Sequence, residues 1–325
     1  MTRSAFPSRR AVLAALGAVA VAPARAQAAW PSRPVRLIVP LAPGGTADGT
    51  ARLLADKLSG LWGQQVIVEN RAGAAGIIGM EAIARAEPDG YTLGMGNINT
   101  VATNHLLRPK LSYDPLKDFT DIAWLTTSPL FLIVHPAVPA ATAAEFVAYA
   151  KANPNKLSFA SIGSGSSMHL AMEMLQQRTG IRLLHVPYKG MGAAVQDLIA
   201  GNVSSTLDIT TMAMVHAGQL RALAVASDKR YPREPDVPSF GEQGLSGLEL
   251  TTWLSLHAPA GLPPELTARI NTDVNRVLAM PEVRAGIEKM NLDPIGGSPA
   301  DLQAMLGRER SRYAELIRQA GITVD

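Results

Sequence analysis

Leu37-Ile38-Val39-Pro40-Leu41-Ala42-Pro43-Gly44-Gly45-Thr46-Ala47-Asp48 leaves an apolar run through a turn rich in proline and glycine and enters a new pattern. Before the turn, Val35 to Pro40 reads as a buried strand. After it, Ala47 to Leu61 places Ala51, Leu54, Ala55 and Leu58 on one helical face. A strand at Gln65 to Val68, a helix at Gly76 to Ala86 and a strand at Thr92 to Met95 continue the alternation. Parallel strands need crossover helices, so the pattern predicts an α/β fold with a mostly parallel sheet covered on both faces.

The same junction recurs at Leu157-Ser158-Phe159-Ala160-Ser161-Ile162-Gly163-Ser164-Gly165-Ser166-Ser167-Met168-His169. Around it, predicted strands at Leu130 to Val134, Leu157 to Ser161, Leu183 to Val186, Ser204 to Asp208 and Leu220 to Ala226 accompany helices at Thr142 to Ala152, Ser167 to Thr179 and Ala193 to Ala200. A surface connection from Asp228 to Gly247, an apolar segment from Thr252 to Ala258 and three helical patterns between Pro264 and Gly321 complete the chain. Its 325 residues exceed the roughly 100–200 of one ordinary domain. The expected organisation is two α/β lobes, residues 30–128 plus 251–325 and residues 129–250, with crossings near Ser128 and Thr251.

Each glycine loop opens a helix at the C-terminal end of a strand, where open α/β sheets bind ligands. A helix start carries unpartnered N–H groups and partial positive charge, so it accepts anions. Three other helix starts pair a hydroxyl with a carboxylate three residues on: Thr142 with Glu145, Ser239 with Glu242 and Ser298 with Asp301. The glycine loops lack that pairing, which leaves their amides available to a ligand. The candidate binding residues are Leu41, Pro43, Gly44, Gly45 and Thr46 in the first loop and Ser161, Gly163, Gly165 and Ser166 in the second.

Several polar residues have more than one reading. Asp48 caps its helix, holds a water, or receives an amino, amide or hydroxyl group of the ligand. His169 and Asp208 face the ligand or make structural hydrogen bonds, and Asn97 and Asn99 sit at the pocket rim or in a turn. No arginine lies in either loop, so backbone amides are the expected anion donors.

Composition narrows the chemistry. The formal charge is +3, from 30 basic and 27 acidic residues, and the pI is near 9.2. Residues 1–26 hold four arginines and no acid: Arg3, Arg9 and Arg10 precede the apolar run Ala11 to Ala22, and Arg25 follows it. This is the pattern of an export signal, with cleavage after Ala26 or Ala28, because twelve apolar residues fall short of the roughly 18 of a membrane span. Ser8-Arg9-Arg10 leaves the general secretory and twin-arginine routes both open. From Gln27 onward, 26 basic residues face 27 acidic ones, so the expected periplasmic protein has no net positive charge to attract nucleic acid.

Cysteine is absent, which excludes disulfides, thiolate nucleophiles and Fe–S ligation. No phosphate-binding Gly-x-x-x-x-Gly-Lys motif occurs, and Gly163-x-Gly165 has Met168 where a dinucleotide fingerprint needs glycine. Gly-x-Ser-x-Gly is missing too, and the six histidines are too dispersed for a zinc motif. No cofactor, metal or catalytic residue is expected.

The chain resembles the substrate-binding proteins of tripartite tricarboxylate transporters, the Bug family. The matching segments are Pro40 to Asp48, Val68-Glu69-Asn70-Arg71-Ala72-Gly73 with Gly76 and Gly79, Pro88-Asp89-Gly90-Tyr91-Thr92-Leu93 and Tyr113-Asp114-Pro115 with Asp118-Phe119. Ser161 to His169, His185-Val186-Pro187-Tyr188-Lys189-Gly190 and Leu220 to Val225 follow in order. The resemblance implies a type II periplasmic-binding-protein fold, a Venus flytrap whose two glycine loops face each other across a cleft. It implies a non-enzymatic monomer that binds a di- or tricarboxylate, an acidic amino acid or an aromatic acid through backbone amides and waters, and works with a large and a small membrane permease subunit. Presentation of ligand to a sensor kinase and an enzyme on a similar fold are the rival readings. Two departures bear on ligand choice: Leu41-Ala42 replaces a frequent aromatic, and Met191 replaces a small residue.

Overall fold

The computed structural model describes residues 30–188 and 190–322. The export segment, both cleavage points and Lys189 lie outside the described residues. The chain begins with β1 (Val35–Val39), α1 (Thr46–Trp62), β2 (Val66–Asn70), a 3₁₀ turn (Ala74–Gly76), α2 (Ile77–Ala84) and β3 (Thr92–Asn97). A π-helical turn (Ile98–Thr103), α3 (Asn104–Leu107) and β4 (Phe119–Pro129) lead to β5 (Phe131–Val134), α4 (Ala143–Ala152), β6 (Ser158–Ser161), α5 (Ser167–Thr179) and β7 (Leu184–Pro187). Then come α6 (Met191–Ile199), β8 (Ser205–Asp208), α7 (Met212–His216) and β9 (Arg221–Val225). The last elements are β10 (Thr251–Pro259), α8 (Pro264–Leu278), α9 (Pro281–Glu288), β11 (Asp293–Pro294) and α10 (Pro299–Ala320).

Two sheets result, ordered β11-β4-β10-β3-β1-β2 and β7-β6-β8-β5-β9. The strand β1 shows why helices cover both faces of the first. Val35, Leu37 and Val39 join Ala51, Leu54 and Leu58 of α1 in one apolar cluster. Ile38 points the other way, to Met80 and Ile83 of α2 and Leu302 and Leu306 of α10. Successive strand residues face opposite sides, so a strand with apolar residues on both sides needs cover on both. In the second sheet, Leu132 and Val134 pack with Phe146 and Leu175, while Phe131 and Ile133 pack with Ala194 and Leu198.

The sheets are mixed, which corrects the mostly parallel expectation. The pairs β1–β2, β1–β3, β6–β7 and β6–β8 are parallel. In contrast β10 runs antiparallel to β3 and β4, β11 to β4, and β5 to β8 and β9. The cause is the return of the chain: β4 leaves the first sheet toward the second, β10 comes back beside it, and neighbours running out and back are antiparallel. The periodicity reading also passed over β4 itself. Thr126 and Ser128 are fully buried in it, so its polar residues sit where an apolar alternation would be sought. From Thr251↔Pro129 to Pro259↔Phe119 the two crossing strands form one ladder, extended by the Leu130 N–H donating to the Leu250 carbonyl at 2.8 Å.

The halves also touch away from this ladder. Leu170 of α5 is buried among Ile98, Val101 and Leu302, and Arg233 pairs with Asp293 at 2.8 Å.

Candidate functional site

A cavity of about 740 Å³ lies between the sheets, within the usual range of roughly 300–1,000 Å³ for small-molecule sites. It opens beyond the C-terminal ends of β3 and β8, whose last residues, Asn97 and Asp208, are in its wall. Leu41, Thr46, Asn97, Gly163, Ser166 and Asp208 line it. Pro43, Gly44, Gly45, Asp48, Ser161, Gly165 and His169 stand outside the lining, and the hydrogen bonds of five of them show what they hold.

In the first loop, Gly44 adopts φ +86°, a conformation that glycine reaches without penalty. Its N–H donates to Asp48 Oδ2 at 3.0 Å. Arg52, one turn along α1, donates to the same oxygen at 3.1 Å and pairs with Oδ1 at 3.0 Å. These bonds, Arg52 foremost and Gly44 after it, hold the Asp48 carboxyl below its usual range. Asp48 thus ties the loop down with its charge countered. Gly45 is the N-cap of α1 and no side chain caps that helix, so the Thr46 end of α1 meets the cavity with first-turn amides that no capping side chain engages.

The second loop differs from expectation. Ser166 caps α5 by accepting the His169 N–H at 3.3 Å, and His169 Nδ1 accepts the Gly165 N–H at 3.0 Å. The Gly163 N–H donates to Ser161 Oγ at 3.2 Å and the Ser166 N–H to the Gly163 carbonyl at 3.1 Å. Most amides thought open to a ligand are therefore engaged, because serine and histidine supply the acceptors that a carboxylate would supply in a capping box. Behind them, His169 stacks on His185 at 3.9 Å between ring centroids, and His185 stacks on Phe159 at 4.8 Å. Burial first, and the neighbouring His169 second, push the His185 pKa down to about 4.

Asn97 and Asp208 line the cavity while serving the backbone. Asn97 Oδ1 accepts the Thr100 N–H at 3.0 Å in a capping box for the π-helical turn. Asp208 accepts from Thr210 Oγ1 at 2.7 Å and the Thr211 N–H at 2.8 Å, and burial raises its carboxyl pKa.

Sequence reading missed two contributors, Arg108 and the turn at Gly73 to Ala75, and left open the role of a third, Asn99. Arg108, directly after α3, lines the cavity, and its Nη1 is buried without a hydrogen-bond partner among the described residues. Neither glycine loop contains an arginine, and Arg108 is far from both in sequence. Gly73, Ala74 and Ala75 supply wall from a turn where both alanines have positive φ, 47° and 55°, strain of a kind concentrated at functional sites. Asn99, read as a weak rim candidate, reaches the opposite loop. Its Nδ2 donates to the Gly165 carbonyl at 3.1 Å and its Oδ1 accepts the Ser167 N–H at 3.3 Å. Both departures noted in the sequence, Leu41 and Met191, face the cavity.

Among the described residues, no group of three or more His, Asp or Glu is placed to hold a metal ion, and no helix is long and apolar enough to cross a membrane.

Two α/β sheets joined by a crossing ladder and enclosing a cavity at their strand ends define a bilobed solute-binding protein. Residues 50–322 match the family described as Tripartite tricarboxylate transporter family receptor, and the chain belongs to that family. The protein BugT of Bordetella pertussis is 34% identical over 295 residues, 90% of each chain. Among solved structures, R. palustris Rpa4515 with adipate is 35% identical with a TM-score of 0.85, covering 90% of this chain and 99% of that one. MatC from Rhodopseudomonas palustris with bound malate is 32% identical with a TM-score of 0.80, covering 89% and 100%. The family is one of receptors, which sets aside the enzyme reading and favours transport over the sensor reading.

Proposed function

We propose that this protein captures a small carboxylate in the cleft between its lobes and delivers it to the large and small permease subunits of a tripartite transporter. The carrying observation is the α1 terminus, uncapped by any side chain, at a cavity lined from both sheets. Relatives with adipate and malate bound support the ligand class. The ligand contacts would be Thr46 with the first-turn amides of α1, Ser164, Ser166 and Ser167 on the facing loop, and Asn97 and Asn99 at the rim. Leu41 and Met191 would set the width of the apolar wall. The lobes, residues 30–128 with 251–325 and residues 129–250, would close on the ligand because only the closed state offers contacts from both sides. Export to the periplasm would precede this, with residues 1–26 removed.

A thermal-shift screen of residues 27–325 against carboxylates tests the reading. A true ligand at 100 times its dissociation constant adds about 2.7 kcal/mol of stability. A melting temperature moved by neutral solutes and by no carboxylate would refute it.

A further inference from the structure

The second glycine loop is held by an acceptor that can take a proton. Ser164 and Ser166 line the cavity, and between them the Gly165 N–H donates to His169 Nδ1 at 3.0 Å. The ring is itself held. The His169 N–H donates to Ser166 Oγ at 3.3 Å, and the imidazole stacks on His185 at 3.9 Å between centroids.

An imidazole nitrogen that accepts an N–H carries no proton, so neutral His169 has its proton on Nε2, 3.6 Å from Glu173 Oε1. The Gly165 bond exists only in that form. A further proton would go to Nδ1 and set one donor against another. His185 is more tolerant: its Nε2 lies 2.7 Å from Ser161 Oγ, a hydroxyl that donates or accepts as the ring requires. Burial, and then His169, push the His185 pKa down to about 4.

The charged groups on the elements packed around His169 leave it exposed to this change. Glu173 lies on α5 itself, with Gln176 Nε2 donating to its Oε1 at 2.7 Å. From β7 comes His185, and β8 ends in Asp208, whose carboxyl accepts from Thr210 and Thr211. From α10, Arg312 Nη2 reaches Met174 Sδ at 3.7 Å, more than a turn past His169.

We infer that His169 is a positioning residue for the ligand loop and that solute binding is linked to its protonation: the loop conformation presenting Ser164 and Ser166 requires the neutral ring, so binding expels a proton and weakens as pH falls. Linkage makes proton and solute oppose each other by the same factor. This rests on the second loop contacting the solute, as in the reading above, and adds a proton to that equilibrium.

Nuclear magnetic resonance of the ligand-free mature chain, with nitrogen-15 in histidine and glycine, tests the device itself. At pH 8 His169 should show a bare Nδ1 and a protonated Nε2. Between pH 8 and 5 its titration and a shift of the Gly165 amide should share one midpoint. A Gly165 amide that stays fixed while His169 titrates, or a His169 that keeps one form throughout, overturns the inference.

Calorimetry with adipate and malate as probes reads the consequence. Wild type should bind the better probe about fivefold more weakly at pH 5.5 than at pH 8, the worth of one hydrogen bond, beyond any loss shared by His169→Asn. In that variant an amide Oδ1 takes the place of Nδ1 and binds no proton, so only the probe's own titration remains. His169→Ala, with no acceptor, should bind more weakly than His169→Asn at pH 8. Equal pH dependence in wild type and His169→Asn, or tighter wild-type binding at pH 5.5, overturns the inference and leaves the carboxylate reading standing. Binding of neither probe at either pH counts against the carboxylate reading and overturns the linkage with it, whatever the resonance titration shows.

Discussion

Asn99 donates its side-chain amide to the carbonyl of Gly165 across the cleft, at 3.1 Å. With the Ser167 N–H returning to Asn99 Oδ1 at 3.3 Å, one residue of the first sheet's half holds the loop of the second. Two neutral hydrogen bonds of about 1 kcal/mol each stabilise the contact. Asn99→Ala should shift the ligand-free protein toward an open form and weaken ligand binding about tenfold. Small-angle scattering should give a larger radius of gyration and calorimetry the lower affinity; tighter binding by the variant would mean that Asn99 competes with the ligand.

Gly45 and Gly165 should respond differently to the same substitution. Gly45 has an extended backbone, φ −85° and ψ 176°, and a Cβ there meets nothing within 4 Å. Gly45→Val should therefore melt close to wild type while binding ligand more weakly, by obstructing approach to the α1 terminus. Gly165 has φ +75°, where a β-branched residue costs about 1–2 kcal/mol or more. Gly165→Val should lower the melting temperature even without ligand. Equal thermal loss in both variants would contradict this division.

The stacked histidines predict a pH dependence of stability. With the His185 pKa pushed down to about 4 in the folded protein against about 6.5 unfolded, the unfolded chain binds a proton between these values that the folded one refuses. Stability from this group is complete above about pH 6.5 and falls as pH drops toward 4. His169, Glu173 and Ser161 face the ring. The difference in melting temperature between wild type and His185→Phe, followed from pH 7 to 4, should change steadily against wild type; a constant difference would exclude His185 as the titrating group.

Arg52 should matter to ligand affinity from outside the cavity. It counters the charge of Asp48 in the first turn of α1, where a bare carboxylate would oppose an incoming anion. Arg52 is largely exposed, so the effect is modest. Arg52→Met should weaken carboxylate binding about two- to threefold at low salt and less at high salt. A salt-independent loss would point to packing instead.

These predictions draw unequally on what the sequence made legible. The helix expected from Ser167 to Thr179 has those same ends in the structure, because a serine cap and a following Gly180 mark both. Both glycine junctions were visible for similar reasons: short-range turn chemistry needs few residues. β4 was not visible, since its buried Thr126 and Ser128 owe their place to neighbouring strands. Arg108 and the Asn99 bridge depend on where distant segments meet, and no local pattern encodes that. The engaged amides of the second loop could have been suspected from Ser166 and His169, had a neutral acceptor been counted beside a carboxylate.

The β4–β10 ladder has a mechanical consequence. Both chain crossings are rungs of one hydrogen-bonded ribbon, so the halves are joined by two paired strands and not by a single one. Leu130, Thr252 and Leu254 of the crossing region also form part of the cavity wall. A solute held in that cavity would press on the joint as well as on the jaws, which would couple occupancy to the angle between the halves.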